Sequence, residues 1–303
     1  MGVCDMPIVQ FGNLYYFIYI FIGILLTLLV LRFLKHKSQK YRYWFLFGLL
    51  VFNFIVHIGK IFIPMYQNNV EYLITKVSFE NICAVSAILF PFLYFTKNKT
   101  LKDYMVMVGI ASGVITFLFP VDAMSTRFNG LDLGVYRHAF REIENIRFYL
   151  SHYIIFLVPF LMMHYGMHEL SIKRAWRAPF MLILVLVIIF INELLMTLFG
   201  WVPKSELFDP NKRNPSFIFG VVGSLGGLGM ILGIFVPSFL RVNPFYSGPA
   251  FFPVLWLVLP AIVYGGLIAL LMMLIYDRDH TLRFFHLKHK LKLPEEVEPI
   301  EHE

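Results

Sequence analysis

Apolar runs of about twenty residues, the length of helix that crosses a bilayer, recur in this chain from Leu14 almost to Tyr276. That pattern leaves few alternatives to an all-α, polytopic transmembrane bundle. Hydropathy predicts spans near 14–34, 43–63, 77–96, 104–121, 146–166, 178–200 and 253–276. A further stretch, 216–235, is apolar but carries Gly220, Gly223, Gly226, Gly227, Gly229 and Gly233, which weaken a lone helix.

Composition agrees, with 58% hydrophobic and only 15% charged residues, and a mean hydropathy of +0.70. The net charge of +7 does not point to nucleic acid, because the basic residues fall in short clusters between apolar runs. They read as topology signals. Arg32 to Arg42, Lys97 to Lys102 and Lys173 to Arg177 follow the first, third and fifth spans, and Arg278 to Lys292 follow the last. Seven spans put all four clusters in the cytoplasm and the amino terminus outside. Residues 216–235 are then expected to be a re-entrant or packed Gly-rich element, with an eighth, Gly-packed span as the alternative. The expected organisation is one membrane domain over 1–276 and a cytoplasmic tail over 277–303, basic and then acidic. Residues 1–13 contain Asp5 and no Lys or Arg, so no cleavable leader is expected. Cys4 and Cys83 define no disulfide framework.

Polar side chains within spans are costly if they face lipid, so each is a functional candidate. The seven-span topology puts His57, Cys83, His152 and the Asn192–Glu193 pair at one depth, roughly 9 to 12 Å inside the outer boundary. Glu80, Asn81, Lys60, Tyr149 and Ser151 fall near the same layer. Taken singly, a buried His or Asn more often bonds a neighbouring helix, and a buried Cys is usually inert. A shared depth on four helices favours a site.

Cys with an imidazole in reach is the minimum set for nucleophilic acyl transfer, and Asn192 is a candidate to stabilise an oxyanion or fix a tautomer. The expected substrate is then a membrane phospholipid, whose ester linkages lie near this depth. His57, Glu80, Asn81, Tyr149 and Glu193 are expected to contact it. No spacing matches a metal signature, and no cofactor is expected. His164 and His168 are expected to be a solvent-facing pair. Two other classes compete: a solute or proton transporter working through His57, Lys60, Glu80 and Glu193, and a seven-span sensor or scaffold without chemistry.

Two stretches carry a family likeness, Glu80-Asn81-Ile82-Cys83-Ala84-Val85-Ser86-Ala87-Ile88-Leu89-Phe90-Pro91 and Phe148-Tyr149-Leu150-Ser151-His152-Tyr153-Ile154-Ile155. They resemble the transmembrane protein 164 family, including bacterial YwaF-like membrane proteins, over about residues 40–276. Phe119-Pro120-Val121-Asp122 varies that family's Pro-Asp, Asn192 with the Asn214-Pro215 turn resembles its Asn-containing segment, and the Gly-rich 216–235 element falls outside the pattern. The eukaryotic branch is similar to acyltransferases that move fatty acyl chains between phospholipids. Carried over, the resemblance implies Cys83 as nucleophile, His152 as base, and residence in a bacterial cell membrane.

Overall fold

A computed structural model describes residues 9–120, 143–221 and 226–286 of the chain. Cys4, Val121 with Asp122, Gly223 and the tail beyond residue 286 lie outside the described residues. All regular structure among the described residues is helical. In chain order the helices are α1 (Leu14–Leu34), α2 (Gln39–Gly59), α3 (Pro64–Asn69), α4 (Ile74–Val77), α5 (Ile82–Phe95), α6 (Lys99–Leu118), α7 (Ile143–His164), α8 (Ile172–Ala175), α9 (Arg177–Leu198), α10 (Gly226–Gly233), α11 (Leu255–Tyr276) and α12 (Arg278–Phe284).

Among the described residues six segments are long and apolar enough to cross a membrane: Leu14–Leu34, Gln39–Phe62, Lys99–Leu118, Ile143–His164, Ile172–Leu198 and Leu255–Tyr276. The expected third span, 77–96, is realised differently. Its helical part, α5, has only 14 residues, and residues 78–81 enter it as non-helical chain. Glu80 and Asn81 therefore lie just ahead of a helix rather than within one.

Four starts follow from local sequence. Asn13, Ser38, Asn81 and Asn98 each accept a backbone N–H from the first turn of α1, α2, α5 and α6, satisfying donors that have no partner inside a helix. The Asn214-Pro215 turn leads into two residues in the left-handed region, Ser216 at φ 49° and Phe217 at φ 62°. Asn214 holds this turn from both sides. Its Oδ1 accepts from Phe219 N (3.1 Å) and its Nδ2 donates to the Gly220 carbonyl (2.7 Å). Trp256 Nε1 donates to the Phe217 carbonyl at 3.0 Å. Beyond the turn, the described part of the Gly-rich stretch holds only α10, whose eight residues reach about 12 Å, well short of a bilayer core.

α7 is the most buried of the long helices and α1 the least. α7 packs hardest on α6, and a small-residue pair spaced four apart, Gly109 and Gly113, makes this approach. A Cβ on Gly109 would lie 2.7 Å from Pro159 Cγ, 2.8 Å from the Ile155 carbonyl and 3.1 Å from the Phe90 ring. One on Gly113 would lie 3.1 Å from Phe156 Cα and 3.2 Å from the His152 carbonyl, and would collide with Phe156 Cβ.

At the end of the bundle where α6 begins, Asp103 is buried and accepts from Arg174 Nε (2.7 Å) while lying 2.7 Å from His168 Nε2. His164 is the exposed last residue of α7, whereas His168 lies beyond that helix and is buried. The expected solvent-facing pair is therefore overturned, because the Asp103 carboxylate draws His168 inward.

Gly113→Leu should lower the thermal unfolding midpoint in detergent, by about 1–3 kcal/mol of overpacking. Gly266→Leu is the control, since nothing lies within 4 Å of a Cβ at Gly266; equal tolerance at both positions would refute the close approach.

Candidate functional site

The opposite end of the bundle, where α2 ends and α5 begins, gathers three carboxylates, Glu144 and Glu193 buried and Glu80 half-buried. Glu80 Oε1 lies 2.6 Å from Lys60 Nζ and its Oε2 lies 3.1 Å from Lys76 Nζ. Glu144, in the first turn of α7, accepts from Tyr66 OH at 2.6 Å and is gripped by the Arg147 guanidinium through both oxygens. Glu193 of α9 takes Arg213 in a two-bonded fork, both contacts at 2.8 Å. Each carboxylate thus has a cation at hydrogen-bonding distance, which a charge in a low-dielectric interior requires. Burial alone raises the Glu80 carboxyl, but Lys60 and Lys76 hold it well below the usual carboxylate range, at about 2. Burial and then Glu144 push the Tyr66 phenol up, so Tyr66 stays the donor.

These pairs fix the entrance to α5. Asn192 Nδ2 donates to Ser78 Oγ (3.1 Å), and Ile82 N donates to Ser216 Oγ (3.0 Å). Asn81 turns its side-chain oxygen onto Ala84 N at 2.8 Å. Cys83 consequently stands in the first turn of α5, two residues after the cap. A helix N-terminus favours negative charge, so a thiolate is stabilised there. The side chain is half-buried and packs on the main apolar core.

His152 reaches the same level from α7. Phe90 of α5 and Pro159 of α7 both close on Gly109. Cys83 and His152 each lie seven residues earlier on these two helices, so both stand two turns, about 10 Å, beyond that contact. Seven residues also return each to nearly the face from which it started. His152 Nδ1 lies 2.7 Å from the Phe148 carbonyl. Because a carbonyl can only accept, Nδ1 carries the hydrogen and the neutral ring presents Nε2 as its basic nitrogen.

The remaining expected residues divide. His57 is 3% exposed, and its Nε2 has no hydrogen-bond partner among the described residues. Tyr149 stacks on Tyr19 with ring centroids 3.8 Å apart, and its buried hydroxyl also has none among them. Glu80 and Glu193 are committed to ion pairs, and Asn81 to capping. No group of three or more His, Cys, Asp or Glu side chains stands ready for a metal among the described residues.

Sequence reasoning missed Tyr66, Lys76, Ser78, Glu144, Arg147, Arg213 and Ser216. Glu144 and Arg147 were detectable as an i,i+3 pair opening an apolar run, and Asn81 as a cap residue preceding one. Arg213 and Ser216 come from a loop whose approach no local pattern announces.

Alongside lies a groove of about 300 Å³ between α1, α6 and α7, lined among others by Gly23, Leu28, Val114, Phe117, Tyr153 and Phe156. Its lining is almost wholly apolar. Gly113 also lines it and packs on the His152 carbonyl, while Phe117 meets the Tyr149 ring edge-on at 5.4 Å between centroids.

Residues 10–232 match the TMEM164 family. The chain belongs to that family. The TMEM164 match includes α1, earlier than the expected start at residue 40, and runs into the Gly-rich stretch as far as residue 232, so most of that element lies inside the family region. It covers every candidate residue named above. With six crossing helices, this TMEM164-family chain is an integral, multi-pass membrane protein. Neither the curated proteins nor the solved structures compared with it yielded a match.

Glu80→Gln should destabilise the protein by about 3–5 kcal/mol, the usual cost of leaving a buried cation unpaired. Because the Glu80 carboxyl is held low, at about 2, its contribution is complete above the unfolded-state value of about 4.3 and fades as pH falls towards about 2. Thermal unfolding of the parent between pH 6 and 2 should show this loss. A variant whose midpoint shifts as much over that range as the parent's would contradict it.

Proposed function

We propose that this protein is a lipid-modifying enzyme of the bacterial cell membrane that transfers or hydrolyses phospholipid acyl esters through Cys83, in the outer half of the bilayer. The observation that carries the reading is the common level of Cys83 and His152 on packed helices, with the thiol at a helix N-terminus. A residue needed only for packing has no use for that position. The apolar groove adds support: it lies beside His152 and offers a path for an acyl chain entering sideways from the bilayer. The YwaF-like resemblance supports the bacterial membrane.

In the first half-reaction an imidazole takes the thiol proton and the thiolate attacks the ester carbonyl carbon. The carbon–oxygen bond to the glycerol breaks, the departing oxygen regains the proton, and a thioester forms on Cys83. In the second, a lipid hydroxyl or water attacks the thioester, an imidazole takes its proton, and the thiolate leaves and is reprotonated. The family resemblance implies His152 as a base in this cycle. Asn192 keeps one N–H on Ser78 and has a second to offer an oxyanion.

A solute or proton carrier would work through His57, Lys60, Glu80 and Glu193, and the commitment of the last three to ion pairs argues against it.

Purified protein given phospholipid with a labelled acyl chain should release or move that chain. Cys83→Ala and His152→Ala should each lower the rate by about a hundredfold or more. Transfer that survives both substitutions would reject the reading.

A further inference from the structure

The contacts between α2 and α5 fix how these antiparallel helices are aligned. Near one end Trp44 meets Phe95 with ring centroids 6.2 Å apart, and Phe47 meets Tyr94 at 6.3 Å. At the other, Lys60 pairs with Glu80 at 2.6 Å. Three turns along α2 from Phe47 is His57, and three turns back along α5 from Tyr94 is Cys83. His57 lies one turn before Lys60, and Cys83 three residues after Glu80. The faces agree as well as the levels: Cys83, Ala87, Phe90 and Tyr94 recur at helical spacing on one side of α5, and Leu46, Leu50, Asn53 and His57 do so on the buried side of α2.

His57 therefore stands at the level of Cys83, on a helix that packs on both α5 and α7. It is 3% exposed, and its Nε2 has no partner among the described residues. The charged groups that act on it are Lys60 and Glu80 beside it and Arg147 from α7. Lys60 and Arg147 are held by Glu80 and Glu144. A buried ring nitrogen left without a partner costs stability and calls for a reason.

We propose that His57 is a second acid–base residue of the Cys83 site, dividing the proton transfers with His152. This rests on the acyl-transfer reading. His57 Nε2 takes the thiol proton as the S–H bond breaks, the sulfur lone pair forms the bond to the ester carbonyl carbon, and His57 returns that proton to the departing glycerol oxygen. His152 Nε2 then takes the proton of the incoming hydroxyl or water and returns it to the sulfur as the thioester breaks. Two imidazoles on different helices give the leaving and entering oxygens a base each at one thiol.

Thiol alkylation tests this without turnover. In a Cys4→Ser background, where Cys83 is the one remaining cysteine, the rate of iodoacetamide labelling is followed from pH 5 to 9 in folded, detergent-solubilised protein. His57→Gln should slow labelling at pH 7 by about tenfold and move the profile to higher pH, while His152→Gln should leave it within about twofold. Equal rates in His57→Gln and its parent, or an equal loss in His152→Gln, overturns the proposal. Should His57→Gln fail to fold, His57→Cys in the same background supplies a second measurement: a short bifunctional thiol reagent should bridge positions 57 and 83, and the absence of a bridge overturns the facing arrangement. His57-dependent labelling in a protein that moves no acyl chain would uphold the pairing and remove only the enzymatic reading.

Discussion

A carboxylate carried into hydrocarbon has to be met by a cation, and much of the site end of this protein is shaped by that demand. Glu80, Glu144 and Glu193 sit on three different segments, and each is met by a basic group that other forces do not hold in place. Lys60 ends a long helix and Lys76 sits in a short one, so pairing both to Glu80 dictates where the intervening chain runs. With Glu80 pinned, Asn81 falls at the head of α5 and caps it, and Cys83 comes into the first turn of that helix. The position of the thiol is thus a consequence of ion pairing three residues away.

The bundle was legible because a bilayer allows so few solutions. Apolar runs gave the six long apolar helices of the described residues to within six residues at either end, and Asn192 and His152 within them, with Cys83 in the shorter α5, were recognisable as polar exceptions. What the pattern could not give was the interruption before α5. Hydropathy averages over Ser78, Glu80 and Asn81 because the residues on either side are apolar, and it counts a continuous span where the chain is extended. Nor could it give Arg213, which lies in a connecting segment and reaches Glu193 only through the fold of the Asn214 turn. The depth of a residue follows from counting along one helix, but its facing depends on rotation. The level shared by Cys83 and His152 was therefore an inference from sequence, and the alignment of His57 with Cys83 needed packed rings at the far ends of α2 and α5.

The two ends of the bundle differ in their buried chemistry. At one, the Asp103 carboxylate joins His168 and Arg174, so the chain leaving α7 is tied to the start of α6. At the other, ionic pairs surround imidazole and phenol groups whose polar atoms are not all engaged. Between them, Gly109 and Gly113 let α6 and α7 close until backbone meets side chain. A tight waist thus separates an end closed by the Asp103 cluster from an end that carries the Glu80, Glu144 and Glu193 pairs.

The shortness of α5 has a consequence for the surrounding lipid. Its 14 residues give about 21 Å of helix, against about 30 Å of hydrocarbon. Such a mismatch is relieved by a locally thinner bilayer or by flanking polar chain that lets headgroups sink inward. Either relief lowers the membrane surface towards the start of α5, as a shallow dimple in the leaflet.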